Sequence, residues 1–237
     1  NILFQQALFL PEGRRQAIQV VVSPEVAGTS TFQFLSLPSD APAGTSWLAH
    51  AAGVLARGSG DGTWPTRAIP VEVKDQVEIY HDREELYRKL RERGMEYGDL
   101  FQVTQEIWKR GQETLSRLVV PEGLQAEMEK FRLHPAIIDA CIQMLGATIP
   151  EELVASGTGE TYLPTGVTRF RQFAKPAAQM WVHAELKTNF ATEGLRVAQG
   201  DIHLLDGAGQ VIAEYLGVTL TRIGTRKQVD EKKSSER

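Results

Sequence analysis

The stretch Leu133-His134-Pro135-Ala136-Ile137-Ile138-Asp139-Ala140-Cys141-Ile142-Gln143 constrains the fold more than any other part of the chain. It reads as a helix that opens at a proline, whose missing N–H would have been unpaired at the first helical position anyway. One acid interrupts an otherwise apolar run, so such a helix belongs in an interior. The segments that follow read as strands: 165–173, 180–190, 195–205 and 210–221. Asp206-Gly207-Ala208-Gly209 joins the last two and is a strong hairpin signal. One buried helix set against a long antiparallel sheet is an α+β arrangement.

Asp139 and Gln143 are four residues apart and share a helix face, so the Gln143 amide can orient the carboxyl. A carboxyl among Ile137, Ile138, Cys141 and Ile142 is poorly solvated, which favours its neutral form and raises its pKa towards the range useful for proton donation. The same window equally describes a helix with one buried, satisfied Asp and no chemistry.

The chain before this helix is also strand-rich. Residues 17–22 are β-branched and apolar, and 31–37 place Phe32 and Phe34 on one face. Residues 47–55 fit a strand of small residues or a short helix, and the proline- and glycine-bearing stretches 38–44 and 57–70 read as loops. Asp82 with Glu85 forms a capping-box-like start to a helix with the apolar stripe Leu86, Tyr87 and Leu90, which Gly94 stops. The charges of 83–93 read as a solvated helix face. Residues 107–112 and 114–120 read as a strand, a turn and a returning strand.

With 237 residues, the chain can bury a sizeable core in one or two domains. A net charge of −4 without a basic stripe argues against nucleic acid as a partner. One cysteine, Cys141, excludes an internal disulfide framework and a Cys-rich metal site, so no metal is expected and a reducing cytoplasm is the natural setting. No apolar run has the length of a membrane span, so no membrane partner is expected.

His134-Pro135, Asp139 and Gln143 together resemble the His-Pro-x-x-x-Asp-x-x-x-Gln/His signature of polyketide synthase dehydratase domains. Tyr97-Gly98-Asp99-Leu100-Phe101-Gln102 resembles the Tyr-Gly-x-x-Phe-Gln segment that opens the second half of such domains. Leu163-Pro164 stands where that family has Leu-Pro, and Phe4-Gln5-Gln6-Ala7-Leu8-Phe9-Leu10-Pro11 resembles a strand of the first half. The resemblance spans residues 1 to about 223. It implies a double hot-dog fold, two antiparallel sheets each wrapping a central helix, with the first hot-dog truncated. The implied boundaries are 1–75 for the remainder of the first hot-dog, 76–96 for a linker with a helix, 97–223 for the second hot-dog and 224–237 for a disordered exit linker.

The implied reaction removes water from a β-hydroxyacyl thioester on an acyl carrier protein, leaving the α,β-unsaturated thioester. Asp139 is the expected general acid and Gln143 its orienting partner. Tyr97, Gly98, Phe101, His134, Pro135, Leu163 and Pro164 are the expected substrate-tunnel residues. No cofactor is expected beyond the phosphopantetheine arm that carries the substrate, and other synthase domains and a second copy of the chain are the expected partners. The family's base is a histidine in a His-x-x-x-Gly-x-x-x-x-Pro motif, and His50, His81, His134, His183 and His203 all fail that spacing. The expectation is therefore a chain lacking the N-terminal segment that carries the base. Double-bond shifting, cyclisation or a purely structural role on the same scaffold are the alternatives.

Overall fold

The computed structural model describes residues 1–10, 12–58, 65–150, 153, 161–188 and 196–223. The expected linker 224–237 and the loop residues 59–64 lie outside them. Eleven strands form one antiparallel sheet in the order β2-β3-β4-β1-β8-β11-β10-β9-β7-β6-β5. Its N-terminal section comprises β1 (Ile2–Phe4), β2 (Gln16–Val22), β3 (Thr29–Pro38) and β4 (Leu48–Ala56). The other strands are β5 (Ile79–Asp82), β6 (Thr104–Arg110), β7 (Glu113–Val119), β8 (Thr161–Gln172), β9 (Gln179–Leu186), β10 (Val197–Leu205) and β11 (Val211–Ile223). The fold is the expected hot-dog arrangement, with its two sheets fused edge to edge where β1 pairs β8.

The helices are α1 (Val71–Asp75), α2 (Arg83–Glu92), α3 (Glu122–Met128) and α4 (Pro135–Thr148). Helix α4 is the central helix, lying across β7, β9 and β10. Its start follows the local chemistry: Pro135 takes the first position, and His134 Nδ1 accepts the Ala136 N–H at 3.1 Å. Ala136, Ile137, Ala140, Cys141, Met144 and Leu145 are fully buried against Val182, Ala184, Ile202 and Leu204. Gly200 lets helix and sheet approach closely, since a Cβ there would stand 2.5 Å from both the Leu145 side chain and the Glu185 carbonyl. The 206–209 turn forms as expected, with the Asp206 carboxylate accepting the N–H groups of Ala208 and Gln210 at 2.8 Å each.

Two expectations are corrected, and two short helices are added. The segment 4–11 is strand only to Phe4, because the Gln5 and Gln6 N–H groups turn to the His50 carbonyl instead of continuing a ladder. Residues 76–96 do carry the expected helix, with Asp82 Oδ1 accepting the Glu85 N–H at 2.9 Å. They also supply edge strand β5 and the buried Leu86 and Tyr87, so they belong to the second unit's core and are more than a tether. The short helices α1 and α3 fall in stretches that carried no assignment, because five and seven residues are too few to show helical periodicity.

Side chains alternate across the sheet, so Leu115, Trp181, His183 and His203 face away from α4. Residues 65–75 cover that face. Arg67 N–H donates to the Gly209 carbonyl at 2.8 Å, and Val73 packs with Trp108 and Leu115. In the N-terminal section, by contrast, no helix of the described residues lies across the sheet, and Ile18, Val20, Val54 and Leu55 remain exposed.

Candidate active site

Helix α4 turns Asp139 and Gln143 into a cavity of about 190 Å³. Gln143 Nε2 donates to Asp139 Oδ2 at 2.6 Å, the contact expected from their four-residue spacing. Burial pushes the Asp139 carboxyl above the usual carboxylate range, and the hydrogen bond from Gln143 only partly opposes this. The surroundings thus favour the protonated form more than water would.

Tyr97 lines the same cavity and meets Tyr87 edge-on at 5.9 Å. Burial, and after it the Asp139 charge, push the Tyr97 phenol up to about 12, so it is a neutral hydroxyl at ordinary pH. Its backbone is pinned where Gln102 Nε2 donates to the Tyr97 carbonyl at 2.8 Å. Leu163 and Pro164, on β8, form part of the opposite wall. Pro164 has no N–H for the ladder and pairs Leu220 beside a register shift on β11, the kind of irregularity that tolerates a proline inside a sheet.

The remaining expected tunnel residues stand outside the cavity wall. Gly98 and Phe101 close a 3₁₀ turn, Asp99–Phe101, through the Phe101 N–H to Gly98 carbonyl bond at 2.9 Å. The Phe101 carbonyl accepts from the Tyr87 hydroxyl. His134 is the cap of α4, buried against Phe131 with ring centroids 4.8 Å apart, and Pro135 begins the helix. These four residues position the wall without forming it. Cys141 is wholly buried, and burial pushes its thiol up, away from the reactive thiolate.

Sequence reasoning missed four basic residues of the wall: His81, Lys89, Arg93 and Lys109. Lys89 and Arg93 lie in the stretch read as a solvated face, yet they share one helix face with Leu86 and Leu90 and look into the cavity. Of the five histidines, only His81 lines the cavity, with Nδ1 3.2 Å from Glu85 Oε2 and Nε2 3.2 Å from Lys89 Nζ. His50 lies in the N-terminal section. Its Nδ1–H donates to the Gln6 carbonyl at 3.1 Å, which leaves Nε2 to accept from Ser36 Oγ at 2.7 Å. Among the described residues, no cluster of His, Cys, Asp or Glu could hold a metal ion, and no helix is long and apolar enough to cross a membrane.

A central hot-dog helix that presents a desolvated carboxyl and its glutamine partner to a cavity narrows the class of protein, and comparison with known proteins gives the family. The family profile described as polyketide synthase dehydratase N-terminal domain matches residues 67–229, and the chain belongs to that family. Pikromycin polyketide synthase component PikAII of Streptomyces venezuelae is 37% identical over 147 residues, which is 59% of this chain and 4% of that protein. Mycoketide-CoA synthase of Mycobacterium tuberculosis is 32% identical over 164 residues, again 4% of the relative's length. The chain thus spans a small fraction of these multidomain relatives. Among solved structures, the dehydratase domain from the CurF module of curacin polyketide synthase is 27% identical with a TM-score of 0.78, covering 94% of this chain and 74% of that one. A trans-AT polyketide synthase dehydratase domain from Brevibacillus brevis, 22% identical with a TM-score of 0.77, shares the fold.

Proposed function

We propose that the chain serves the dehydration of a β-hydroxyacyl thioester carried on an acyl carrier protein, with Asp139 as the general acid. The observation that carries this reading is the desolvated Asp139 carboxyl, oriented by Gln143 at 2.6 Å inside the cavity. Loss of water needs a proton on the departing β-hydroxyl, because free hydroxide is a very poor leaving group. Protonated Asp139 supplies that proton while Gln143 fixes the direction of transfer. The apolar wall excludes bulk water and so opposes rehydration of the alkene. Tyr97 acts as a neutral hydrogen-bonding group beside the acid.

A base must remove the α-proton, and no histidine of this chain follows the family's motif. Water loss is therefore measured by mass spectrometry of a β-hydroxyacyl carrier protein, with the chain alone and with the chain joined to an upstream segment bearing that motif. Activity is expected with the motif present. Asp139→Asn should then lower the rate by at least about 10²-fold, with the melting temperature retained. Undiminished turnover in that folded variant rules out Asp139 as the acid.

A further inference from the structure

We infer that Gly146 determines which acyl chains fit, by leaving open the part of the cavity that takes the far end of the chain. The inference rests on the dehydratase reading above and deepens it. Helix α4 divides into two faces. Ala140, Cys141, Met144 and Leu145 are buried against the sheet, whereas Asp139, Ile142, Gln143 and Gly146 are half-buried and line the cavity. Gly146 therefore stands on the face that carries the acid. The spacing from Asp139 places it about 10 Å further along the helix.

Glycine within a helix generally costs stability relative to alanine, so its presence calls for a reason. Backbone conformation does not supply one, because the φ of Gly146 is not positive. Close packing does not supply one either. A Cβ at Gly200 would collide with its neighbours. At Gly146, among the described residues, no atom beyond its chain neighbours and the helix's own backbone lies within 4 Å of that place. What remains is space. The wall around it is largely aliphatic, with Ile142 one turn back on the same face and Ile149 at the helix end. Lys109 Nζ donates to the Ile149 carbonyl at 3.0 Å, and Ile79 pairs Lys109 across β5 and β6, so Ile79 stands at this end too. Such a lining suits the hydrocarbon of an acyl chain better than the amides of a pantetheine arm.

Calorimetry on the chain would compare two unreactive amide analogues of the substrate, 3-hydroxybutyryl and 3-hydroxydecanoyl pantetheine. The decanoyl ligand is expected to bind the unsubstituted chain more tightly. In Gly146→Leu that preference should fall about tenfold or more, the worth of roughly two buried methylenes. Gly146→Ala should raise the melting temperature, as expected where a glycine serves neither backbone nor packing. If the preference never appears, survives Gly146→Leu, or gives way to an equal loss for both ligands, the role of Gly146 is overturned while the dehydratase reading stands. Loss of the fold in Gly146→Leu, or a lower melting temperature in Gly146→Ala, does the same, since either shows the place to be filled. Failure of both ligands to bind the unsubstituted chain overturns both.

Discussion

The two halves of the sheet use the same building material and reach different ends. Strands β2 to β4 carry many large apolar residues, as do β9 to β11. Yet every buried hydrophobic side chain among the described residues lies at Val73 or beyond. What differs is the partner on the face: α4 lies across β7, β9 and β10, and 65–75 cover their other side. In the N-terminal section the buried side chains are instead polar, Ser36 and His50. Alternation specifies a strand, whereas burial depends on what the strand is packed against.

The contrast is most directly broken by truncation on each side. Met144→Ala should destabilise the protein by about 2–5 kcal/mol, because the residue is wholly buried in α4. Val20→Ala, 58% exposed on β2, should change stability by less than about 0.5 kcal/mol. Denaturant unfolding measures both, and equal losses would erase the distinction. The next effect depends on pH. Burial, with the Arg67 charge second, pushes His183 and His203 down to about 4 beneath the 65–75 cover. The folded state therefore binds fewer protons than the unfolded state between those values and about 6.5. The resulting stability is full above about pH 6.5 and is lost as pH falls towards 4, by on the order of 2–3 kcal/mol at buried His183. His183→Gln should lessen the fall of melting temperature between those limits, with His203 supplying the remainder, and an unchanged profile would remove His183 from the account. A further effect is expected at the buried polar pair of the N-terminal section. Ser36→Ala leaves His50 Nε2 buried without a donor and should cost about 1–3 kcal/mol, measured by the same unfolding curves.

The features legible in the sequence were those set by local chemistry. Pro135 marks the start of α4, Asp82 caps α2, and Asp206 with Gly209 makes the hairpin, each through contacts within a few residues. The Asp139–Gln143 pair was legible for the same reason, since both residues ride on one helix. What escaped depends on register between distant segments. Nothing near His183 announces that it pairs with His203 across two strands, or that 65–75 close over both. Nor could the charge pattern of 83–93 show that Lys89 and Arg93 face a cavity, because the opposing wall comes from α4 and β8. Four residues of the recognised motifs, Gly98, Phe101, His134 and Pro135, shape the wall from behind, a role invisible without the turn and cap they make.

The seam at β1 has an elastic consequence. Eleven strands in one ladder suggest a stiff plate, yet the passage from one unit to the other is carried by two register pairs, Ile2 with Val167 and Leu3 with Gly166. Parting them breaks fewer register pairs than any other strand pairing in the sheet, so opening here costs less than unfolding either unit. The plate is therefore articulated: its halves can change their mutual twist while each stays folded. Amide exchange along β1 would report that breathing long before exchange from β9 or β10.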